Sequence, residues 1–436
     1  MNRPQPEGEY RDFTVSARDL GKYDVAIAGG GVSGVAAAVT AARRGSRVIL
    51  IEGCGCLGGA LTAGLVPNMS LDRDGKGGFV EEFFMFMDDH GFTCPRRGPL
   101  TDENGELIPG GVVSPDGAKV FFDRVCAEAG VTVLFHSCVA GVRMDGRRIE
   151  ELLIGTECGA ASVRAELYVD ATGKGTLSLL AGCRGEFGHP DDHHPQPATL
   201  GYMMSGLGFP ESTIDKAAYG EELAAAGLHL ANKRPCALRL PDLHNCLLWT
   251  NYEYDVDTRD ILGISRAAQH AHIEALETAE AHRRIPGHAG AKLGTLAGHL
   301  GIREGYRIAG EYRLTLDDLL KGAHFADGVC LVNFVVDVHK TTAGGDPHTA
   351  RRYRVLPYHI PYRALVPLDV DDLLLCGRLL SGDFFAHASY RVICNMMAVG
   401  EAVGFAAHTL VAEKCTPSRL DGSRVRAFME ERGYRL

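Results

Sequence analysis

Apolar residues occur along the chain in short runs that end at glycine, a pattern typical of strands alternating with helices. The first run, residues 23–28, is short, β-prone and followed by three glycines, which predicts a buried strand and a tight turn. Residues 32–44 are rich in small side chains and predict a helix, and residues 47–51 predict a second strand. This order is a βαβ unit, the usual source of a parallel sheet. Helices at Gly78–Asp89 and Pro115–Ala129 and a strand at 131–135 continue the alternation.

The pattern changes between residues 139 and 169, where short strands alternate with turn residues. Asp145 and Gly146 lie between two of these strands and form a strong hairpin signal. We therefore expect an antiparallel β-meander inserted in the α/β region. Residues 183–359 are less regular, and strand, turn and helix return in order after residue 371, with a long helix after Asn395.

The three glycines form a GxGxxG pattern through Gly29, Gly31 and Gly34, and a strand ending at Glu52 follows. The first glycine permits the turn, the second admits a pyrophosphate, and the third allows close packing of helix and strand. A carboxylate at the position of Glu52 accepts hydrogen bonds from ribose hydroxyls and repels a 2′-phosphate. The alternative is a structural glycine turn with a solvated Glu52. Strand, turn, helix, strand and acid coincide, which favours nucleotide binding.

The predicted fold class is α/β, with a Rossmann-like dinucleotide-binding domain, an inserted β-meander and a second α+β substrate domain. The nucleotide domain is expected to be discontinuous, and a tail helix is expected at the C-terminal end. The predicted bounds are 20–72, 131–182 and 360–415 for the nucleotide domain, 73–130 and 183–359 for the substrate or cap domain, and 416–436 for the tail helix.

Composition narrows the choice of partners and compartment. The 436 residues carry a formal net charge of -10 and no lysine- or arginine-rich block, so a nucleic-acid partner is not expected. None of the 13 cysteines is arranged as CxxC, and the first 21 residues contain no apolar signal core. We expect a protein of the reducing cytoplasm with no membrane partner.

Further motifs resemble the FAD-dependent oxidoreductases related to the flavoprotein subunits of fumarate reductase and succinate dehydrogenase. The resemblance extends from about Tyr23 to Ala412. The matching segments, in order, are Glu52 with Leu57-Gly58-Gly59, Val169-Asp170-Ala171-Thr172-Gly173-Lys174-Gly175, Gly301-Ile302-Arg303-Glu304-Gly305-Tyr306-Arg307-Ile308, and Leu375-Cys376-Gly377-Arg378-Leu379-Leu380-Ser381.

This resemblance implies FAD as the cofactor and adds Gly58, Gly59, Asp170, Gly173, Gly377, Arg378 and Asn395 to the residues expected to bind it. Two positions depart from the family pattern. Arg378 stands where many FAD enzymes carry an acid, so that contact is an open question. Ala60 stands where succinate dehydrogenase attaches its flavin to histidine, so we expect non-covalent FAD.

The resemblance also implies catalytic candidates before the last long helix. His387, Arg391 and Asn395 are spaced four residues apart, as in fumarate-reductase-like proteins, where the arginine holds a substrate carboxylate. A guanidinium suits that role because it binds carboxylates with two donors. The alternative is that Arg391 only braces the flavin or a loop. His339, two residues after Asp337, and His359 are further candidates for proton transfer.

Other polar groups are expected to be structural. Arg303, Glu304 and Arg307 suggest a salt-bridge network, and Cys54 and Cys56 suggest packing thiols. His189, His193 and His194 lie among prolines without a completing ligand, which favours a polar loop and no metal.

The function expected from the sequence is hydride transfer between FAD and a small polar, carboxylate-bearing substrate, with an electron partner that the sequence does not identify. The rival interpretations are a flavin-dependent RNA-modifying enzyme and a non-catalytic flavin-binding sensor.

Overall fold

A computed structural model describes residues 12–69, 75–95, 111–209, 215–240, 245–342, 353 and 355–436. Its strands, in chain order, are β1 Ala17–Ala28, β2 Val48–Ile51, β3 Thr93–Pro95, β4 Gly111–Val113, β5 Thr132–Leu134, β6 Ser137–Asp145, β7 Arg148–Thr156, β8 Gly159–Asp170, β9 Gly185–Glu186, β10 Tyr202–Ser205, β11 Cys236–Arg239, β12 Asn245–Trp249, β13 Lys292–Leu296, β14 Arg307–Ile308, β15 Gly328–Val332, β16 Tyr358–Pro361 and β17 Leu373–Leu375.

The described residues also form ten α-helices. They are α1 Val32–Arg43, α2 Gly78–Asp89, α3 Pro115–Ala129, α4 Thr176–Leu180, α5 Lys216–Ala225, α6 Ile261–His282, α7 Leu316–Lys321, α8 Phe384–Tyr390, α9 Ile393–Glu413 and α10 Gly422–Glu431.

The central sheet has the order β5-β2-β1-β8-β7-β6, with β17 pairing the end of β8. The pairings β1–β2, β1–β8, β2–β5 and β8–β17 are parallel. The pairings β6–β7 and β7–β8 are antiparallel, which is the expected meander. The predicted α/β class with a Rossmann-like core is therefore confirmed. The parallel strands end together at one edge of the sheet, where Gly29 follows β1, Glu52 follows β2 and Asp170 is the last residue of β8. The nucleotide motifs therefore share one side of the sheet.

Helix α1 packs against helix α9 at very short range because both contribute small residues to the contact. A Cβ atom on Gly400 would lie 2.3 Å from the carbonyl oxygen of Ser33, and one on Gly404 would lie 2.4 Å from that of Ala37. Real Cβ atoms do not approach oxygen so closely, so only glycine permits this spacing. The contact fixes the start of α1 relative to α9.

A second, four-stranded sheet of order β11-β12-β10-β13 lies within the region predicted as the substrate domain. It has its own hydrophobic cluster with helices α5 and α6, including Tyr219 and Ala275. Helices α2 and α3, which the sequence grouped with that region, pack their phenylalanines into the main core with α1 and α9. The division into domains remains a prediction.

One local expectation needs correction: Asn395 lies inside the first turn of α9 and not before it. Residues 333–340, which include Asp337 and His339, form no regular strand. A capping box formed by Thr315 and Asp318 begins α7.

In the part of the chain that the structure describes, no single helix is long and apolar enough to cross a membrane. Helices α8 and α9 reach that length and apolarity only together, and they are bent by 93° at the break between them.

Candidate active site

The glycine turn after β1 leaves space where a phosphate would approach. Gly29 has φ +102°, and a Cβ there would lie 2.5 Å from the carbonyl oxygen of Ala171. A Cβ on Gly34 would lie 1.9 Å from the carbonyl oxygen of Gly29. Gly31, by contrast, has no described heavy atom within 4 Å of its Cβ position. Two glycines therefore close the turn, while Gly31 exposes backbone at the N-terminus of α1, where free N–H groups favour anions.

Glu52 is buried beside this turn and holds two backbone groups. Its Oε2 accepts from the N–H of Gly30 at 2.6 Å, and its Oε1 accepts from the N–H of Cys54 at 2.7 Å. Each carboxylate oxygen has a second lone pair, which is available to a ribose hydroxyl. Glu52 therefore shapes the turn and can also bind the sugar.

Gly58 and Gly59 bring a second loop alongside the first. The N–H of Gly58 donates to the carbonyl oxygen of Gly30 at 2.8 Å, and a Cβ on Gly59 would lie 3.1 Å from the Cα of Gly31. Both residues have positive φ, +103° and +53°. The two loops thus form one glycine-lined cradle. That Gly58 and Gly59 bind the cofactor, as the resemblance implies, stays a prediction.

Asp170 shapes the loop after β8 from a fully buried position. Its Oδ1 accepts from the N–H and hydroxyl of Thr172 at 3.0 and 2.7 Å. Its Oδ2 accepts from the N–H and hydroxyl of Ser178 at 2.8 and 2.7 Å. Four donors occupy this carboxylate, so Asp170 positions Gly173 and its neighbours and is not itself placed to contact a ligand.

Cationic side chains gather where this loop meets the segment after β17. Gly377, with φ +87°, lies against Ser33, and the Nε of Arg378 donates to the carbonyl oxygen of Gly173 at 2.9 Å. Burial and the charge of Arg391 lower the pKa of Arg378 to about 10. Burial, followed by the charge of Arg378, also lowers the pKa of Lys174.

His299 and Cys54 lie beside Lys174. The Cys54 Sγ lies 3.5 Å from the His299 Nδ1. Burial, followed by Lys174 and Arg378, lowers the pKa of His299 to about 4, and burial raises the pKa of the Cys54 thiol to about 12. Both groups are neutral at pH 7. Lys174 belongs to the glycine-containing motif after β8 that is recognisable in the sequence, whereas nothing in the sequence indicated a role for His299.

This charge arrangement fits a dinucleotide. Lys174 and Arg378 repel each other near the glycine cradle, and two phosphate groups would relieve that repulsion. The cradle admits the pyrophosphate at Gly31, and Glu52 stands at the ribose position. The residues present therefore suit FAD.

Arg391 occupies the break between α8 and α9. Asp383 caps α8 by accepting from the N–H of Ala386 at 2.7 Å, and the chain bends sharply after Arg391. The Nη1 of Arg391 donates to the carbonyl oxygen of Arg303 at 3.1 Å. Its Nη2 donates to Gln196 Oε1 at 3.1 Å and to the carbonyl oxygen of Asp337 at 2.8 Å. Arg391 thus braces three loops, which leaves only its Nε–H and one Nη1–H for a ligand.

His387 is fully buried among arginines. Burial, followed by the charges of Arg391, Arg307 and Arg378, holds the pKa of His387 well below its ordinary value, so the ring is neutral. Both of its ring nitrogens, the Nε of Arg307 and the Nε2 of Gln196 are buried without hydrogen-bond partners among the described residues. An unpaired buried polar group costs about 1–3 kcal/mol, so these atoms indicate a missing ligand.

His339 belongs to a hydrogen-bonded series beside Arg391. Its Nε2 lies 3.2 Å from the Asp337 Oδ2, and its Nδ1 lies 2.7 Å from the hydroxyl of Tyr252. Burial and the charge of Arg303 lower the pKa of His339 to about 4. Burial acts to raise the pKa of Asp337, but His339, Arg391 and Arg303 outweigh it and hold that pKa below its ordinary value. The sequence indicated His339 and Asp337 but gave no sign of Tyr252.

Of Arg303, Glu304 and Arg307, which were expected to form a salt-bridge network, Arg303 is the one that departs from the expectation. Glu304 and Arg307 form the expected buried ion pair. Arg303 makes no ion pair in the described structure; its Nη1 donates to the carbonyl oxygen of Pro197 at 2.7 Å and to Thr199 Oγ1 at 2.5 Å. The planar Nε–Nη2 edge of Arg303 is therefore left for a ligand.

The other candidates lie apart from this group. The Nδ1 of His359, in β16, accepts from the N–H of Phe325 at 3.2 Å, and its ring packs on His324. Asn395 is buried in α9, with its amide nitrogen unpaired among the described residues. His189 packs edge-on against Phe384, and the described residues include no cluster suited to a metal.

Comparison with known proteins supports FAD as the cofactor. A family model described as FAD dependent oxidoreductase matches residues 24–429. The structure of p-nitrophenol 4-monooxygenase PnpA from Pseudomonas putida DLL-E4 is similar, with a TM-score of 0.50 and 12% identity, covering 95% of this chain and 87% of that one. Flavin-dependent brominase Bmp2 gives a TM-score of 0.50 and 15% identity, covering 94% and 83%.

At such identities these two structures show the fold alone. Comparison with curated proteins gave no match. The family model, however, spans nearly the whole chain. The chain therefore belongs to the FAD dependent oxidoreductases, enzymes whose cofactor is FAD.

Proposed function

We propose that this enzyme transfers hydride between non-covalently bound FAD and a carbon atom of a small, carboxylate-bearing substrate. The supporting observation is the pair of half-buried guanidiniums, Arg303 and Arg391, beside the neutral His339. Asp337 is the carboxylate beside both of them, and it does not balance two positive charges. A substrate carboxylate would supply the remaining negative charge.

Arg303 is the better carboxylate ligand of the two arginines nearest His339. Its Nε–H and Nη2–H lie on one edge of the guanidinium and match the two oxygens of a carboxylate. Arg391 lies next to it, because its Nη1 donates to the Arg303 carbonyl. We assign substrate binding to Arg303 and bracing, with one additional contact, to Arg391.

The cofactor supplies the site that accepts or donates hydride when it is bound. The chain's own residues would hold it and exclude water. Gly31 and the N-terminus of α1 would bind its phosphates, Glu52 would bind its ribose, and Lys174 and Arg378 would balance its negative charge. His387 is neutral and has two unpaired ring nitrogens, so it offers one donor and one acceptor to the ligands.

The test begins with the purified protein, which should be yellow. Acid precipitation should release the flavin as intact FAD, since Ala60 stands at the usual attachment position. Flavin retained on the pellet would contradict non-covalent binding.

The protein is then mixed without oxygen and without nucleic acid with small carboxylates that carry an oxidisable carbon, and with chemically matched neutral amides. Bleaching of the 450 nm flavin band by carboxylates but not by amides is expected. Equal bleaching by both sets would overturn the role of the guanidiniums. No bleaching by either set would overturn oxidation of a carboxylate substrate.

A further inference from the structure

The hydroxyl of Tyr252 lies at the outer end of a three-residue hydrogen-bonded series. Asp337, as an ionised carboxylate, only accepts hydrogen bonds, so the Nε2 of His339 carries the proton that it shares with Asp337. The Nδ1 of the neutral ring is then an acceptor, and Tyr252 donates its proton to it. The Tyr252 oxygen keeps lone pairs that can accept a proton from a substrate.

Tyr252 also lies next to the proposed carboxylate ligand. The Arg303 guanidinium carbon is 5.3 Å from the centre of the Tyr252 ring. A carboxylate held on the Nε–Nη2 edge of Arg303 would bring its neighbouring carbon close to this ring. The substituent on that carbon would therefore contact Tyr252.

We propose that Tyr252 is a catalytic residue that accepts the hydroxyl proton of a 2-hydroxy carboxylate and passes its own proton to His339. This inference rests on the proposed function and deepens it by naming the substrate class. Arg303 holds the carboxylate, Tyr252 faces the hydroxyl oxygen, and His339 and Asp337 are positioning residues behind Tyr252.

The step balances as the oxidation of an alcohol to a ketone. The hydrogen on C2 leaves with its electron pair to FAD, and the O–H bond of the substrate breaks as its proton moves to the Tyr252 oxygen. The phenolic proton moves to the His339 Nδ1. The imidazolium that forms is paired with the Asp337 carboxylate and gives its proton to solvent after the product leaves.

Charges around His339 explain why this series would act only with substrate present. Among the described residues, the charged or titratable groups that act on it include Asp337, Arg303, Arg391 and Tyr252. After burial, the Arg303 charge is the strongest influence that keeps the ring neutral. A substrate carboxylate on Arg303 cancels that charge, so binding raises the pKa of His339 and makes the ring a better proton acceptor.

The first measurement is ¹⁵N NMR of histidine-labelled holoenzyme, with the His339 signals assigned through His339→Gln. Oxalate serves as a non-oxidisable carboxylate probe. In the parent protein, Nδ1 should give the signal of an unprotonated nitrogen that accepts a hydrogen bond, and oxalate should raise the pKa of the ring. In Tyr252→Phe the Nδ1 signal should shift to that of an acceptor without its donor. An unchanged Nδ1 signal in this variant would overturn the pairing.

The second measurement is anaerobic flavin reduction by lactate, malate and mandelate. Tyr254→Phe is the matched control, because its ring lies 6.1 Å from that of Tyr252 at an angle of 84° and belongs to the same segment. Tyr252→Phe should retain FAD and reduce it about 10²- to 10⁴-fold more slowly, the usual effect of losing a general acid or base. The pH dependence of the rate should flatten in this variant, while Tyr254→Phe should resemble the parent.

The outcomes separate the inference from the function on which it rests. If a 2-hydroxy acid reduces the parent and Tyr252→Phe equally fast, the inference is wrong and the proposed function stands. If other carboxylates reduce the parent but 2-hydroxy acids do not, the substrate class is wrong. If no carboxylate reduces the parent, the proposed function fails and the role of Tyr252 fails with it.

Discussion

Replacement of Arg391 by lysine tests whether the guanidinium must join three loops around the substrate position. The side chain makes three hydrogen bonds, to the carbonyl oxygen of Arg303, to Gln196 Oε1 and to the carbonyl oxygen of Asp337, at 3.1, 3.1 and 2.8 Å. Lysine keeps the positive charge, but its side chain is shorter and ends in a single nitrogen, without the planar set of donors of a guanidinium. We expect it to keep one of the three bonds.

The loss can be worked out from those contacts. Two lost bonds to a charged group, at about 1.5–2 kcal/mol each, amount to about 3–4 kcal/mol. Because the braced loops carry Arg303 and His339, we expect this loss in the barrier to flavin reduction, which corresponds to about a hundred- to thousand-fold in rate. The overall fold should survive because the hydrophobic core of α8 and α9 is unchanged.

The assay is anaerobic stopped-flow reduction of the flavin by a carboxylate that bleaches the parent protein. Arg363→Lys provides the control. The Arg363 guanidinium donates two hydrogen bonds to the Asp327 carboxylate, at 2.9 and 3.1 Å, and it packs on Tyr312 and not on the loops around Arg391. The control should retain near-parent rates. If Arg391→Lys holds FAD and reduces it at the parent rate, then bracing by Arg391 is irrelevant to the chemistry.

Three further predictions follow from buried polar groups. Glu52→Gln should weaken FAD binding about ten- to hundred-fold, because an amide can accept from only one of the N–H groups of Gly30 and Cys54; an unchanged dissociation constant in a fluorescence titration would refute this. Glu401→Ala should lower the free energy of unfolding in urea by about 3–5 kcal/mol, because it leaves the Phe79 N–H, Arg432 and Tyr434 unpaired. The exposed control Glu413→Ala should cost about 1 kcal/mol or less, and equal losses would contradict the argument. Burial, followed by the charge of His288, lowers the pKa of His282 to about 4, so the folded state resists its protonation. This ring alone should contribute a loss of roughly 3 kcal/mol of stability as the pH drops from about 6.5 to 4, in addition to the losses from other buried histidines such as His299 and His339. A His282→Gln variant with the same pH slope as the parent would exclude this cause.

Local patterns account for the parts of the fold that could be predicted from the sequence. The helix after Gly29 and the strand before Glu52 were predicted to within one residue at each end, because each is a continuous apolar or small-residue run that ends at a turn. The end of the strand before Gly29 was also predicted, but that strand begins six residues earlier than expected, at Ala17. The hairpin at Gly146 followed from turn chemistry alone, and Gly146 has the positive φ of 58° that such a turn requires.

The rest of the site depends on contacts that local patterns do not encode. The break after Arg391 lies in a largely apolar stretch with no glycine or proline to indicate it, yet Val392 is extended, with φ -72° and ψ 153°. Tyr252 meets His339 across 87 positions of sequence. His339 itself lies in irregular backbone, where no periodicity indicates which way a side chain faces. Arg303 was expected in a salt-bridge network with Glu304 and Arg307, because Glu304 could pair with either arginine on one face of a helix. Only Arg307 forms that pair.

The glycine contact between α1 and α9 has a mechanical consequence. One helix begins at the glycine turn after β1 and the other begins just after Arg391, and the contacts of Gly400 and Gly404 with carbonyl oxygens prevent the two helices from sliding past each other. In the proposed site, this contact would fix the distance between the cofactor phosphates and the substrate. Differences in substrate size would then be accommodated by the loops that carry Arg303, Tyr252 and His339, which makes those loops, and not the helices, the place to alter specificity.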